Sequence, residues 1–274
     1  MRKFFSLFII IISIQSFPQT ESNWFPKGLN IQPFTANFLE PKAGFSYLLG
    51  ERNIRLDIGT SADVLRFMEE GKISSFGVDL FTYTRLRSES NFKFPVETTD
   101  FYFGVNYAQR FINQKNEYGF RFRFAHISTH LVDGSFNQGS NLWRNGRIPI
   151  VYSREFFELI PFYKINGLRV YAGVTYLFHT LPAKISKGIY QIGFDNYFTS
   201  FPSKSFTPFV AYDFKLSKID KFTGNNIISA GIKFGKYNAK GLRIELSYYS
   251  GKSVHGQLFD INENYFTFGF NMDL

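Results

Sequence analysis

The C-terminal half of the chain alternates apolar and polar residues with a period of two. In residues 168–178 every even position is aliphatic or aromatic, whereas the odd positions include Arg169, Gly173 and Thr175. The same alternation recurs in three further segments: 206–216, 242–248 and 266–274. Because successive side chains of a β-strand point to opposite faces, this pattern predicts strands with one apolar and one polar face.

The same pattern, followed through the rest of the chain, predicts an all-β fold. It places twelve strands near residues 43–49, 53–65, 73–86, 99–111, 117–131, 149–161, 167–178, 187–198, 206–217, 225–235, 241–250 and 263–274. Twelve is an even number, as expected for a bacterial single-chain transmembrane barrel of antiparallel strands. The sequence therefore predicts an antiparallel transmembrane β-barrel of about 12 strands.

Connection lengths support the barrel prediction. Short links follow even-numbered predicted strands, at 113–116, 164–167 and 236–240. Long links follow odd-numbered ones, at 86–97, 132–149, 217–226 and 251–262. Because such barrels alternate short periplasmic turns with longer external loops, we expect both chain ends on the periplasmic side.

The amino-acid composition favours a membrane barrel over a soluble β-sandwich, whose strands also alternate apolar and polar residues. Aromatic residues make up 20% of the chain, with 36 Phe and 16 Tyr, yet the mean hydropathy is −0.14. Large aromatics on one strand face and Gly, Arg, Asp or Lys on the other favour an apolar outer band around a polar interior.

The N-terminus predicts export. Met1, Arg2 and Lys3 precede an apolar run over 4–14, which is followed by polar and small residues. A run of about eleven residues is too short for a membrane-spanning helix and is typical of a cleaved signal peptide. We therefore expect residues 1–20 to be a signal peptide, residues 21–274 to be the barrel domain, and the protein to lie in the bacterial outer membrane.

Charge and cysteine content restrict the partners and cofactors. The formal charge is +9, but Lys and Arg are scattered singly, which argues against nucleic acid as a partner. We expect contact with outer-membrane lipid, including lipopolysaccharide, and with the barrel-assembly machinery. The chain has no Cys and no nucleotide or zinc motif. His126 and His130 would be about 13 Å apart on a strand, so we expect no cofactor and no metal.

The segment 120–131 carries the candidate chemistry. Its even positions begin with three Phe residues, and the same parity places His126, Ser128 and His130 on that lipid-facing side. The odd positions of the next predicted strand place Ser153 and Glu155 beside them. A His near a Ser is the minimum arrangement that activates a hydroxyl nucleophile, and an acid orients the imidazole. Glu155 is the first candidate acid and Asp133 the second.

Two structural interpretations compete with this one. These polar residues are also typical of the place where a strand leaves the hydrocarbon. Alternatively, a bulge turns them inward toward Arg121, Arg123 or Arg154.

The His126-x-Ser128 element resembles that of outer-membrane lipid A 3-O-deacylases, small barrels with a catalytic Ser, His and acid on the outer wall. The resemblance implies that Ser128 is the nucleophile, His126 the base and Glu155 the orienting acid. The matching motif is three residues long.

A longer resemblance covers most of the chain. It rests on four segments: 126–133 (HISTHLVD), 152–155 (YSRE), 168–173 (LRVYAG) and 248–257 (YYSGKSVHGQ). Together they resemble a family of bacterial outer-membrane barrels known as a domain of unknown function. Val132 and Gly134 depart from that family's pattern of a Gly and an acid around Asp133. The resemblance implies a fold and a location, and no activity.

Further candidate binding residues lie around these motifs: His130, Asp133, Ser153, Arg154, His255 and Gln257. His255 and Gln257 precede the last strand, where they either meet the loop after the fifth predicted strand or form a Gly- and Ser-rich turn with a solvated His. A polar lumen is expected to hold Lys187, Asp195, Asp213, Lys215, Lys233, Arg243 and Glu245.

The sequence leaves the activity open. The main prediction is an outer-membrane barrel of undefined activity, in transport or envelope structure. The alternative is a lipid A deacylase-like acyl-ester hydrolase with its site on the outer barrel wall. A third hypothesis is binding or adhesion through the external loops.

Overall fold

A computed structural model describes residues 20–183, 185–203, 205–219 and 221–273. Fifteen strands occur in these residues: β1 Glu21–Trp24, β2 Ala43–Leu49, β3 Asn53–Glu69, β4 Lys72–Arg87, β5 Val96–Asn113, β6 Asn116–Leu131, β7 Phe136–Asn137, β8 Leu142–Trp143, β9 Tyr152–Ile165, β10 Leu168–Leu181, β11 Ile185–Tyr197, β12 Phe206–Ile219, β13 Lys221–Phe234, β14 Gly241–Lys252 and β15 Asn262–Asp273. No helix within these residues is long and apolar enough to cross a membrane.

Twelve of these strands form one closed antiparallel barrel. Each pairs with its neighbours in chain order, β6 pairs with β9, and β15 pairs with β2 to close the ring. On β6, Phe122 and Phe124 are exposed, whereas Arg121 and Arg123 are buried. The predicted separation of an apolar outer face from a polar lumen is therefore confirmed.

The twelve predicted strands are confirmed with small shifts at their ends. The predicted long link at 217–226 is wrong, because Ile219 pairs with Lys221 and the hairpin continues almost to its tip. Its polar sequence has little alternation, but backbone pairing depends on the chain's hydrogen-bonding groups rather than on side-chain pattern. The predicted signal peptide lies outside the described residues except for Thr20, and so does Leu274.

Six of the seven residues predicted to line the polar lumen are buried there. Lys187 is the exception, since it is exposed on β11. The other six predicted lumen residues are buried: Asp195, Asp213, Lys215, Lys233, Arg243 and Glu245.

The segment between β1 and β2 fills part of the lumen. β1 pairs with the end of β3 beside the short turn at 70–71. The chain then enters the barrel, where Phe34 is completely buried and packs on Tyr171, with ring centroids 4.3 Å apart. We call residues 25–42 the inner segment.

Buried charges attach the inner segment to the wall. Oε2 of Glu40 accepts hydrogen bonds of 2.9 Å from both Arg121 and Arg123. Arg123 also forms ion pairs with Asp79 at 3.0 Å and with Glu158 at 3.3 Å. Since all five side chains are almost fully buried, each charge relies on the others for the solvation that it has lost.

The loop between β14 and β15 closes the opposite end. This end carries the long loops 88–95, 132–151 and 253–261, and we call it the external end because long loops of such barrels face outward. His255 is only 4% exposed, and its Nδ1 lies 2.7 Å from Oδ2 of the fully buried Asp100. We call residues 253–259 the cap loop.

We predict that Arg123→Met destabilises the barrel strongly. The variant leaves Glu40 and Glu158 with Arg121 alone and removes the ion pair of Asp79, so the free energy of unfolding should fall by about 3–5 kcal/mol. Lys72→Met, which removes the more exposed Lys72–Glu69 pair, should cost under about 1 kcal/mol. Equilibrium unfolding in urea, followed by circular dichroism in micelles, measures both. Equal unfolding midpoints for the two variants would refute the role of the buried network.

Candidate functional site

A group of polar side chains lies on the outer wall near the external end. Its centre is Glu155, whose Oε1 accepts a 2.6 Å hydrogen bond from Ser153 Oγ and lies 2.6 Å from His126 Nδ1. The second carboxylate oxygen bonds to Nδ1 of His179. These four residues and Ser128 are called the wall cluster.

Three adjacent strands supply the wall cluster. The β6–β9 register places His126 opposite Glu155 and Ser128 opposite Ser153. On the other side, the β9–β10 register shifts between Leu177 and His179 and brings His179 opposite Glu155. Since Phe178 already faces outward, regular alternation would turn the next residue inward, and the bulge returns it to the outer wall.

Aromatic side chains border the wall cluster. Phe124, Phe157 and Phe178 occupy the three strands one step further into the membrane-facing band, with ring centroids 5.1–5.8 Å apart. On β5, the Phe103 ring stacks on His126 with a centroid distance of 6.5 Å. The cluster is thus polar, but it adjoins the surface that contacts acyl chains.

The contact with Glu155 sets the orientation and the tautomer of the His126 ring. A carboxylate accepts hydrogen bonds, so its contact with Nδ1 favours the tautomer with the proton on Nδ1 and a lone pair on Nε2. Ser128 lies two residues along the same face, is half-buried, and makes no side-chain hydrogen bond to any described residue. The arrangement therefore offers an oriented base and a neighbouring free hydroxyl, without a direct bond between His126 and Ser128.

Other predicted site residues lie apart from the wall cluster. His130 is exposed, with its ring 6.0 Å from that of Phe101. Asp133 lies in a turn, where its carboxylate accepts a hydrogen bond from the Gly134 amide. Arg154 lies on the other strand face, with its guanidinium carbon 4.9 Å from the centre of the Tyr152 ring.

The interpretation of His255 as a solvated turn residue is wrong. His255 and Gln257 are both buried, and Gln257 contacts Ile150 after the loop that follows β6. The inward-turning alternative for the His126 region is also wrong, because His126 and Glu155 contact each other on the face that carries the exposed Phe124 and Phe157.

Sequence reasoning did not identify His179. The regular alternation of 168–178 ends immediately before it, and a His at the end of that pattern was the available signal. The bulge that turns it toward Glu155 depends on the pairing of two strands, which alternation within one strand does not encode.

A family model described as "Protein of unknown function (DUF1207)" matches residues 77–273. None of the curated proteins matches the chain.

Two solved structures superpose on the chain, and the first has the same fold at low sequence identity. The outer membrane phospholipase A from Escherichia coli superposes with a TM-score of 0.54 and 10% identity, covering 88% of this chain and 93% of that one. The β domain of the Bordetella autotransporter BrkA gives a TM-score of 0.42 and 9% identity, covering 84% and 97%. The protein is a twelve-stranded β-barrel of the bacterial outer membrane.

We predict that a cysteine at position 128 is accessible from the lipid side. Because the chain has no Cys, Ser128→Cys and Ser229→Cys each introduce a single thiol. Ser229 is 3% exposed and faces the lumen on β13. A lipophilic maleimide should modify position 128 at least about tenfold faster, since thiol reactivity requires exposure. Equal rates in vesicles would contradict the outer-wall placement.

Proposed function

The chain belongs to the family described as "protein of unknown function (DUF1207)", and for this member we propose hydrolysis of an acyl ester of an outer-leaflet lipid. Ser128 acts as the nucleophile, His126 as the base and Glu155 as the orienting acid. The observation that carries the proposal is the 2.6 Å contact of Glu155 with Nδ1 of His126. It leaves Nε2 free to act as a base, and Ser128 lies two residues along the same face of β6.

The proposed reaction has two halves. Nε2 of His126 takes the proton from Ser128 Oγ, and the oxygen attacks the ester carbonyl to form a tetrahedral intermediate. The carbon–oxygen bond to the leaving alcohol then breaks, and the imidazolium returns its proton to that alcohol. Water hydrolyses the acyl-serine by the same route. Glu155 stabilises the imidazolium in both halves.

Two observations support a lipid as the substrate. The aromatic border formed by Phe124, Phe157 and Phe178 adjoins the wall cluster, so an acyl chain on this border would place its ester near Ser128. In addition, the outer membrane phospholipase A from Escherichia coli has the same fold. The shared chemistry is a carboxylic ester on a phosphorylated lipid, either a glycerophospholipid or lipid A.

Transport is the competing function. The inner segment and the cap loop both occupy the lumen: Phe34 and Gln257 are each at most 2% exposed. A cavity of about 170 Å³ remains beside the inner segment, and it is lined by paired charges such as Arg110 and Glu117. A filled lumen of this kind favours a function of the outer wall over conduction.

We predict that Ser128→Ala abolishes ester hydrolysis. The rate should fall by about a thousandfold or more, and His126→Ala should have an effect of the same order. Ser247→Ala, a lumen serine bonded to Ser229, is the matched control and should retain wild-type activity. Purified protein in mixed micelles is assayed by release of fatty acid.

The two lipid sources require separate measurements. Micelles containing phosphatidylethanolamine test the glycerophospholipid, and mass spectrometry of lipid A from expressing cells tests the second substrate. Release from one lipid identifies the substrate. If wild type and Ser128→Ala leave both lipids unchanged despite correct membrane insertion, hydrolysis at the wall cluster is refuted.

We also predict that the wild-type barrel does not conduct ions. In planar bilayers at molar salt, it should give no stepwise current under conditions where an open porin does, because both occluding segments are tied to the wall by buried hydrogen bonds. Regular single-channel steps from the purified protein would favour transport instead.

A further inference from the structure

Gln257 of the cap loop bonds to Thr129 on β6 and to Ile150, two residues before β9. Its Nε2 donates to the carbonyl oxygens of Thr129 at 2.9 Å and Ile150 at 2.8 Å. Its Oε1 accepts a 3.1 Å hydrogen bond from the Ile150 amide. The side chain is 2% exposed, so water cannot readily take over these bonds.

These bonds lie where the β6–β9 ladder ends. The last residue pair is Thr129 with Tyr152, and the pair before it is Ser128 with Ser153. Ile150 precedes the first residue of β9 and has no backbone partner in this ladder. The Gln257 amide therefore takes the place of a further pair of backbone hydrogen bonds. It is buried inside the barrel, at the end of the ladder next to the pair formed by the two serines.

Two other residues of the cap loop, His255 and Gly256, contact the barrel wall near the same strand ends. Asp100 accepts a 2.8 Å hydrogen bond from the Gly256 amide and contacts His255, as described above. A side chain at Gly256 would have its Cβ 2.5 Å from atoms of Thr129 and Tyr152. This close approach requires glycine, and it places the next residue, Gln257, beside Thr129 and Ile150.

We propose that Gln257 is a positioning residue for the wall cluster. By joining β6 to the residues that lead into β9, its amide fixes the separation between the strand of His126 and Ser128 and the strand of Glu155. The inference rests on the proposed hydrolysis and adds that the rate depends on a residue of the cap loop, on the opposite side of the barrel wall.

The first measurement uses hydrogen exchange to test whether Gln257 joins the two segments, and it does not depend on activity. Gln257→Met keeps the size of the side chain and removes its hydrogen bonds, whereas Gln191→Met makes the same change at a buried lumen residue on β11. Hydrogen exchange of the purified proteins in micelles is followed by mass spectrometry. In Gln257→Met, residues 126–131 and 150–156 should exchange about tenfold faster or more, while Gln191→Met leaves both segments unchanged.

The second measurement determines kcat and KM for ester hydrolysis. In Gln257→Met, kcat for ester hydrolysis should fall about tenfold to a hundredfold, and KM should stay within about twofold, because small misplacement of reacting groups affects the chemical step. Gln191→Met should retain the wild-type kcat. If Gln257→Met fails to insert, Gln257→Glu replaces it, since it keeps the length and the acceptor for Ile150 but loses both donated bonds.

The outcomes separate this inference from the proposed function. Unchanged exchange in both segments overturns the joining role, whatever the activity. Faster exchange with an unchanged kcat overturns the positioning role, because the contact is then only structural. If the wild-type protein hydrolyses no ester, the hydrolase proposal fails and the positioning role fails with it, while the exchange result still decides whether Gln257 joins the strands.

Discussion

The structure depends on one constraint: backbone N–H and C=O groups within a membrane have no water to bond, so each must find a partner in the protein. Twelve antiparallel strands meet this constraint only by closing, and the pairing of β15 with β2 completes the ring. Closure also gives every strand one face toward lipid and one toward the lumen. The aromatic outer face and the charged inner face of β6 are both consequences.

A lumen lined with charges creates a second requirement, because buried charges need partners. The barrel meets it with its own chain. The inner segment supplies Glu40 to Arg121 and Arg123, and the cap loop brings His255 to Asp100. Among the predicted lumen residues, Asp195 also accepts a hydrogen bond from the Thr35 amide of the inner segment. The other buried ones form ion pairs within the wall, as Lys215 does with Asp213 and Lys233 with Asp273.

On the outer wall, the wall cluster occupies the edge of the apolar band. An oriented imidazole needs a carboxylate on one side and an available nitrogen on the other. Glu155 meets the first condition for both His126 and His179, and the aromatic border is the apolar surface on which the proposed substrate would lie. The Gln257 contact links this outer surface to the cap loop through the strand ends, so the two sides of the wall are mechanically connected.

The sequence by itself determined the strands, their faces and the outward position of His126, Ser128 and Glu155, because a period of two fixes which side of a strand each residue occupies. It also contained the segments that resemble the matched family. The tertiary structure decided what lies inside the barrel. The inner segment has no repeating pattern, and its contact between Glu40 and Arg123 joins residues 83 positions apart. The bulge at His179 and the bonds of Gln257 depend on how neighbouring strands end, which the residues of one strand do not specify.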